Sequence, residues 1–98
     1  MLQRYSQMDK IRIKAQFFGQ VQGVGFRYTA KHAAGALGLT GWVRNEFDGS
    51  VTAEVQGDRA SIQEWIRMLR SGRFINIENI ECEEIETLPD EHSFGVRY

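Results

Sequence analysis

Hydrophobic and polar residues alternate strictly in one stretch near the start of the chain. Between Ile11 and Phe17 every second residue is apolar, and the residues between them are Arg12, Lys14 and Gln16. A period of two predicts a β-strand with one face on the core and the other face, including Arg12, in solvent. Residues 1–10 show no such period, and we expect them to form a flexible extension of the domain.

Two later stretches have the spacing of amphipathic helices, with apolar residues three and four positions apart. The first covers residues 26–37 and should end at Gly38, and the second should begin after an N-cap at Asp58 and be closed by Gly72. The predicted buried faces consist of Phe26, Ala30, Ala33, Ala34 and Leu37 in the first helix and Ile62, Trp65, Ile66 and Leu69 in the second.

The remaining apolar runs are short and predict four further strands. Residues 42–45 and 51–56 flank Asp48-Gly49, a dipeptide typical of a hairpin turn. Residues 75–85 are rich in isoleucine, but their apolar phase slips between Ile77 and Ile80 and again after Cys82, so this strand should carry a bulge. Residues 94–98 form a last short extended run.

This order of elements predicts an α+β fold, a ferredoxin-like βαββαβ sandwich formed by residues 11–98 as one domain. Its sheet should be antiparallel with four to five strands and carry both helices on one face. In that topology the third strand lies between the first two, which run parallel. The loop after the first strand and the turn after the second then share one sheet edge, about 9.5 Å or two strand spacings apart. Arg27 and Asn45 should meet there.

Charge and cysteine content exclude several classes of function. Twelve basic and thirteen acidic residues give a formal net charge of -1, so the broad positive field needed for non-specific nucleic-acid binding is absent and no nucleic-acid partner is expected. No apolar run approaches membrane-spanning length. Cys82 is the only cysteine, which rules out an intrachain disulfide and favours a reducing cytoplasm. We expect a cytoplasmic monomer without a membrane partner.

Three side chains that could carry chemistry lack a supporting pattern. Cys82 lies in an apolar alternation and is expected to be a small core residue. Trp42, in the second strand, is expected to pack the sheet face under a helix. His32 lies one helical turn after Tyr28 and is expected to be a solvated surface residue without a catalytic role.

A glycine-rich loop joins the first strand to the first helix. Residues 19–27 (GQVQGVGFR) contain three glycines and end in Arg27 at the helix start. Free backbone amides at a helix N-terminus favour an anion, and a guanidinium provides a planar fork for phosphate oxygens. This predicts a phosphate cradle, although glycines in such a loop can also serve the turn alone. The spacing matches neither a dinucleotide fingerprint nor a P-loop.

Residues 19–27 resemble the signature of the acylphosphatases. Residues 41–45 (GWVRN), followed by residues 48–51 (DGSV), resemble the second signature of that family, and the resemblance extends over about residues 11–98. It implies an enzyme that hydrolyses acyl phosphates to a carboxylate and inorganic phosphate. Arg27 would bind the phosphoryl group, and Asn45 would position the attacking water. The phosphate-binding loop would consist of the backbone amides of Gln22, Gly23, Val24, Gly25 and Phe26.

No cluster of carboxylates, histidines or thiols accompanies Arg27 and Asn45 in the sequence, so we expect no metal and no cofactor to take part. The partners would be a small acyl phosphate as substrate and inorganic phosphate as product and competitive inhibitor. Glu46, directly after Asn45, departs from the smaller polar residues common in the family, and a negative charge there is expected to slow turnover of an anionic substrate.

The main alternative is a non-catalytic ferredoxin-like module that binds a small anion or RNA. RNA is disfavoured because Arg12, Lys14 and Gln16 replace the paired aromatics on which an RNA-binding sheet stacks bases. A third hypothesis is a detached counterpart of the acylphosphatase-like domain of larger carbamoyl-transfer maturation proteins. The zinc-type cysteine pairs that follow that domain are absent from this sequence.

Overall fold

The computed structural model describes residues 10–98. Its elements in chain order are β1 (Lys10–Gln20), α1 (Phe26–Leu37), β2 (Thr40–Asn45), β3 (Val51–Asp58), α2 (Arg59–Arg70), β4 (Asn76–Ile85) and β5 (Phe94–Arg97). The predicted extension lies outside the described residues except for Lys10. That residue was assigned wrongly, because it pairs with Asp58 as the first residue of β1.

Both helices form where their apolar period predicted them. α1 ends at Leu37 and is capped by Gly38, whose left-handed conformation (φ 70°) lets the backbone turn away from the helix. α2 is capped by Asp58, whose carboxylate accepts a hydrogen bond from the Ser61 amide. It ends at Arg70, two residues before the predicted Gly72. Their apolar faces pack together on the sheet, and the indole Nε1 of Trp65 donates to the Ala30 carbonyl oxygen at 2.9 Å.

The five strands form one sheet in the order β4-β1-β3-β2-β5. β1 and β2 both pair antiparallel with β3, so they run parallel to each other and their carboxyl ends meet at one edge, as predicted. One part of the prediction is wrong, since β5 pairs parallel with β2 and the sheet is therefore mixed. The apolar residues of the central strands face the two helices and form the core with them.

β4 carries the bulge that its slipped apolar phase predicted. Phe18 pairs with Asn79 and Gly19 with Ile77, which leaves Glu78 as the extra residue. The pairing of β4 with β1 continues without a shift from Cys82 to Ile85. The second slip in the apolar pattern, after Cys82, therefore means that the apolar residues change to the other face of the strand, without a bulge. Cys82 is exposed, and its assignment to the core was wrong. Alternation along β4 places Cys82 on the helix side of the sheet. Because β4 is an edge strand, however, no helix covers Cys82 there.

The other side of the sheet, here called the helix-free face, carries Arg12, Lys14, Trp42, Arg44 and Glu54. The segment between β4 and β5 (residues 86–93) covers part of this face. Arg12 was expected in solvent but is 1% exposed. Its guanidinium donates to Glu54 Oε1 at 2.9 Å and to Glu91 Oε1 at 2.7 Å. A charge can be buried here because both carboxylates pair with it.

Trp42 also lies on the helix-free face, which corrects its assignment to the side under a helix. It is aligned with Glu54 on β3, whereas its neighbour Val43 is aligned with Ala53 in the core. The guanidinium carbons of Arg97 and Arg44 lie 4.5 and 5.1 Å from the indole centroid. These cations, and not a helix, cover the ring.

Candidate active site

The loop between β1 and α1 has the geometry of an anion cradle. Gly23 and Gly25 adopt φ angles of 73° and 79°, and a Cβ added at either would meet no other atom within 4 Å. Glycine is therefore needed at both positions for backbone conformation and not for space. Gly25 is the N-cap of α1 and provides no side-chain hydrogen bond to the first turn, so the amides there remain available to a ligand.

The amides of Gln22, Gly23, Val24 and Gly25 donate no hydrogen bond within residues 10–98. Their N–H groups lie beside the positive end of the α1 dipole, where negative charge is stabilised. Free backbone donors beside a helix N-terminus can bind an anion.

Arg27 is the second residue of α1 and lines a cavity at the helix start. Its guanidinium carbon lies 5.1 Å from the centroid of the Tyr98 ring, an arrangement that restricts its orientation. Within the part of the chain that the structure describes, no carboxylate is within ion-pair distance of Arg27. Its charge is therefore available to an incoming anion.

Asn45 is the last residue of β2 and lines the same cavity. It is aligned with Val51, a core residue, so its side chain is on the helix side of the sheet. Its side-chain amide forms no hydrogen bond among residues 10–98. An amide that is free to donate and accept at this place can hold a water molecule.

The side chain of Gln22 connects the cradle to the β2–β3 turn. Its Nε2 donates to the carbonyl oxygens of Glu46 at 2.7 Å and Ser50 at 2.8 Å. Because Glu46 directly follows Asn45, these two bonds fix the loop relative to the strand that presents Asn45. Gln22 was predicted to act only through its backbone amide, and no local pattern indicates a side-chain partner more than twenty residues away.

The cavity has a volume of about 480 Å³ and is open to solvent. It brings together the predicted Gly23, Gly25, Phe26, Arg27 and Asn45. Gln22 and Val24 do not line it, although their amides belong to the same loop. The remaining wall consists of Val21, Tyr28, Lys31, His32, Val96 and Tyr98.

His32 was expected on the solvated surface, and its exposed ring also contributes to this wall, 4.1 Å from the Tyr28 ring between centroids. Lys31 was not predicted as a lining residue. The helical period contained the signal, since Lys31 is four residues after Arg27 and therefore on the same side of α1.

Glu46 does not line the cavity, although it follows Asn45 in sequence. Its carboxylate lies on the helix-free face and accepts a hydrogen bond from Arg44 at 3.1 Å. Hydrogen bonds from Thr52 and Arg44 hold the pKa of the Glu46 carboxyl below its ordinary value. The negative charge is thus paired with Arg44 on the other side of the sheet from Asn45.

The site offers no cluster of metal ligands. Within residues 10–98, no three side chains of His, Cys, Asp or Glu are close enough together to hold a metal ion.

Neither helix of the described chain is long and apolar enough to cross a membrane.

Comparison with known proteins identifies the family of this fold and site. The family model described as Acylphosphatase matches residues 13–96, which include the cradle, Arg27 and Asn45. The chain belongs to the acylphosphatase family. It is 47% identical over 79 residues to an acylphosphatase of Mesorhizobium japonicum, an alignment that covers 80% of this chain and 84% of that protein.

Solved structures agree with this acylphosphatase assignment. The crystal structure of acylphosphatase from Bacillus subtilis matches with a TM-score of 0.83 and 31% identity, over 90% of this chain and 99% of that one. The crystal structure of full-length HypF in its phosphate- and nucleotide-bound form matches with a TM-score of 0.81 and 27% identity. There the match covers 91% of this chain but 12% of HypF, so the acylphosphatase fold also occurs as a part of a much longer protein.

Proposed function

We propose that this protein hydrolyses the carboxyl-phosphate anhydride of acyl phosphates, with Arg27 and the loop amides holding the phosphoryl group and Asn45 orienting the water. One observation carries the assignment of roles: Gly23, Gly25 and Phe26 of the cradle line a single cavity together with Arg27 and Asn45, although these residues come from separate elements. Membership of the acylphosphatase family supports the reaction.

The reaction is an in-line displacement at phosphorus. The water oxygen forms a bond to phosphorus while the bond from phosphorus to the acyl oxygen breaks, and the acyl group leaves as a carboxylate. A carboxylate is a stable leaving group, so no general acid is needed. The proton of the attacking water passes to a phosphoryl oxygen of the substrate, and the products are a carboxylate and inorganic phosphate.

The protein contributes position and charge. Arg27 and the amides of the cradle donate to phosphoryl oxygens whose charge redistributes in the transition state. The Asn45 side chain accepts from and donates to the water, which orients its lone pair toward phosphorus. Inorganic phosphate would occupy the same cradle and inhibit competitively. No cofactor or metal enters these steps, and the proposal includes a cytoplasmic monomer with no nucleic-acid or membrane partner.

The first experiment measures hydrolysis of benzoyl phosphate in EDTA by the wild type, Arg27→Gln and Asn45→Ala. Arg70→Gln and Asn79→Ala serve as matched controls, since both residues are exposed and neither lines the cavity. Circular dichroism should confirm that every variant is folded.

We expect kcat/KM to fall by about 10³-fold in Arg27→Gln and by about 10²-fold in Asn45→Ala, as removal of transition-state donors does elsewhere. The Ki of phosphate should rise in Arg27→Gln and stay near the wild-type value in Asn45→Ala, because, of these two side chains, only Arg27 binds the anion in the proposed mechanism. Full activity in folded Arg27→Gln would contradict the mechanism. A wild type that binds phosphate without turnover would instead identify the alternative, a small-anion binding module.

A further inference from the structure

The cavity extends beyond the residues that the proposed reaction uses. Its wall continues along α1 through Tyr28, Lys31 and His32. Lys31 lies four residues beyond Arg27, which places its backbone about 6 Å farther along the helix axis and on the same side. An acyl group that extends along this wall from a phosphoryl group at Arg27 would lie beside Lys31.

The charge of this wall differs from that of the whole chain. The protein has a formal net charge of -1, yet the cavity lining contains the cations Arg27 and Lys31 and no aspartate or glutamate. Among the ion pairs within residues 10–98, none involves Lys31. Its ammonium group is exposed and free to pair with a ligand.

We propose that Lys31 forms an acyl-group subsite that favours acyl phosphates bearing a second anionic group, such as a carboxylate on the acyl part. This inference rests on the proposed function, because it needs the phosphoryl group at Arg27. The rings of Tyr28 and His32, with centroids 4.1 Å apart and planes tilted by 40°, line the cavity beside the lysine. The second anionic group is not altered in the reaction, and its pairing with Lys31 selects the substrate and leaves the chemistry at phosphorus unchanged.

Two substrates of nearly equal shape test the subsite. They are 3-carboxybenzoyl phosphate and 3-carbamoylbenzoyl phosphate, which differ in the charge of one group held rigidly away from the anhydride. The measured quantity is the ratio of their kcat/KM values in the wild type, Lys31→Gln and Lys14→Gln. Lys14 is a matched control, since it is an exposed lysine on the helix-free face and does not line the cavity.

We expect Lys31→Gln to lower the ratio of carboxy to carbamoyl substrate by about two- to fivefold, the range that an exposed ion pair provides. The change should be in KM for the carboxy substrate, and added salt should lower the wild-type ratio in the same direction. Lys14→Gln should keep the wild-type ratio.

An unchanged ratio in Lys31→Gln, with the enzyme still active on benzoyl phosphate, would overturn the subsite and leave the proposed function intact. An equal fall of the ratio in Lys14→Gln would also overturn it, because the effect would then come from net charge. A wild type inactive on every acyl phosphate would overturn both the proposed function and the subsite.

Discussion

The side chain of Gln22 provides a direct test of how the two halves of the site are aligned. The substitution Gln22→Met keeps an unbranched side chain of similar length and removes both hydrogen bonds to the β2–β3 turn. The carbonyl oxygens of Glu46 and Ser50 still accept from the Gly49 and Glu46 amides at 3.3 and 2.9 Å. Neither oxygen is left without a partner, so the variant should fold.

The loss of stability follows from the two bonds. Each neutral hydrogen bond contributes about 0.5–1.5 kcal/mol net, and because the carbonyls keep their backbone partners we expect a loss of about 1–2 kcal/mol. Urea unfolding should show this as a lower midpoint with an unchanged slope. Turnover should fall as well, because the cradle and Asn45 are no longer held in one geometry.

Measurements of kcat and of the Ki of phosphate distinguish misalignment of the site from weaker binding of the phosphoryl group. In the proposed mechanism phosphate contacts only the cradle and Arg27, which remain on one segment. Its Ki should therefore change by less than about threefold, whereas kcat should fall by about tenfold or more. The assay is benzoyl phosphate hydrolysis with phosphate as the inhibitor.

Gln16→Met is the matched control. Gln16 donates to Ser50 Oγ at 2.8 Å from the helix-free face, so this variant also removes a glutamine bond to the same turn. It should lose stability and keep kcat. A Gln22→Met variant with wild-type kcat, or a Gln16→Met variant with an equal loss of kcat, would refute the reasoning.

Two further predictions follow from the backbone and from the buried ion pair. Gly25→Ala and Gly38→Ala each place a Cβ at a positive φ with no neighbouring atom, so each should cost about 1–2 kcal/mol in urea unfolding, but only Gly25→Ala should lose turnover. Burial raises the pKa of Glu91, but its hydrogen bond from Arg12 and further favourable interactions outweigh burial and hold the pKa below its ordinary value of 4.5. A carboxyl group whose pKa is lowered by folding stabilises the folded protein at pH values above its ordinary pKa of 4.5. This contribution to stability is lost as the pH falls below 4.5. Unfolding free energies of wild type and Glu91→Gln should therefore converge as pH falls below that value, and a constant difference would contradict this account.

Local sequence was sufficient for those parts of the fold that depend on short-range physics. The helical period gave α1 its observed bounds, and Asp58 is the N-cap that its side chain and position predicted. The phase slip between Ile77 and Ile80 predicted the bulge at Glu78. The meeting of Arg27 and Asn45 at one cavity followed from the order of the elements. That order places β1 and β2 on either side of β3 and makes them parallel to each other.

The tertiary structure alone decided what covers each face. Alternation assigns side chains to two faces of a strand, but it does not say which face meets another element. Arg12 is buried because residues 86–93 bring Glu91 across the helix-free face. Trp42 lies on that same face under Arg97, whereas Cys82 is exposed because β4 is an edge strand. These outcomes depend on contacts between residues far apart in sequence, which the local pattern of a single strand does not contain.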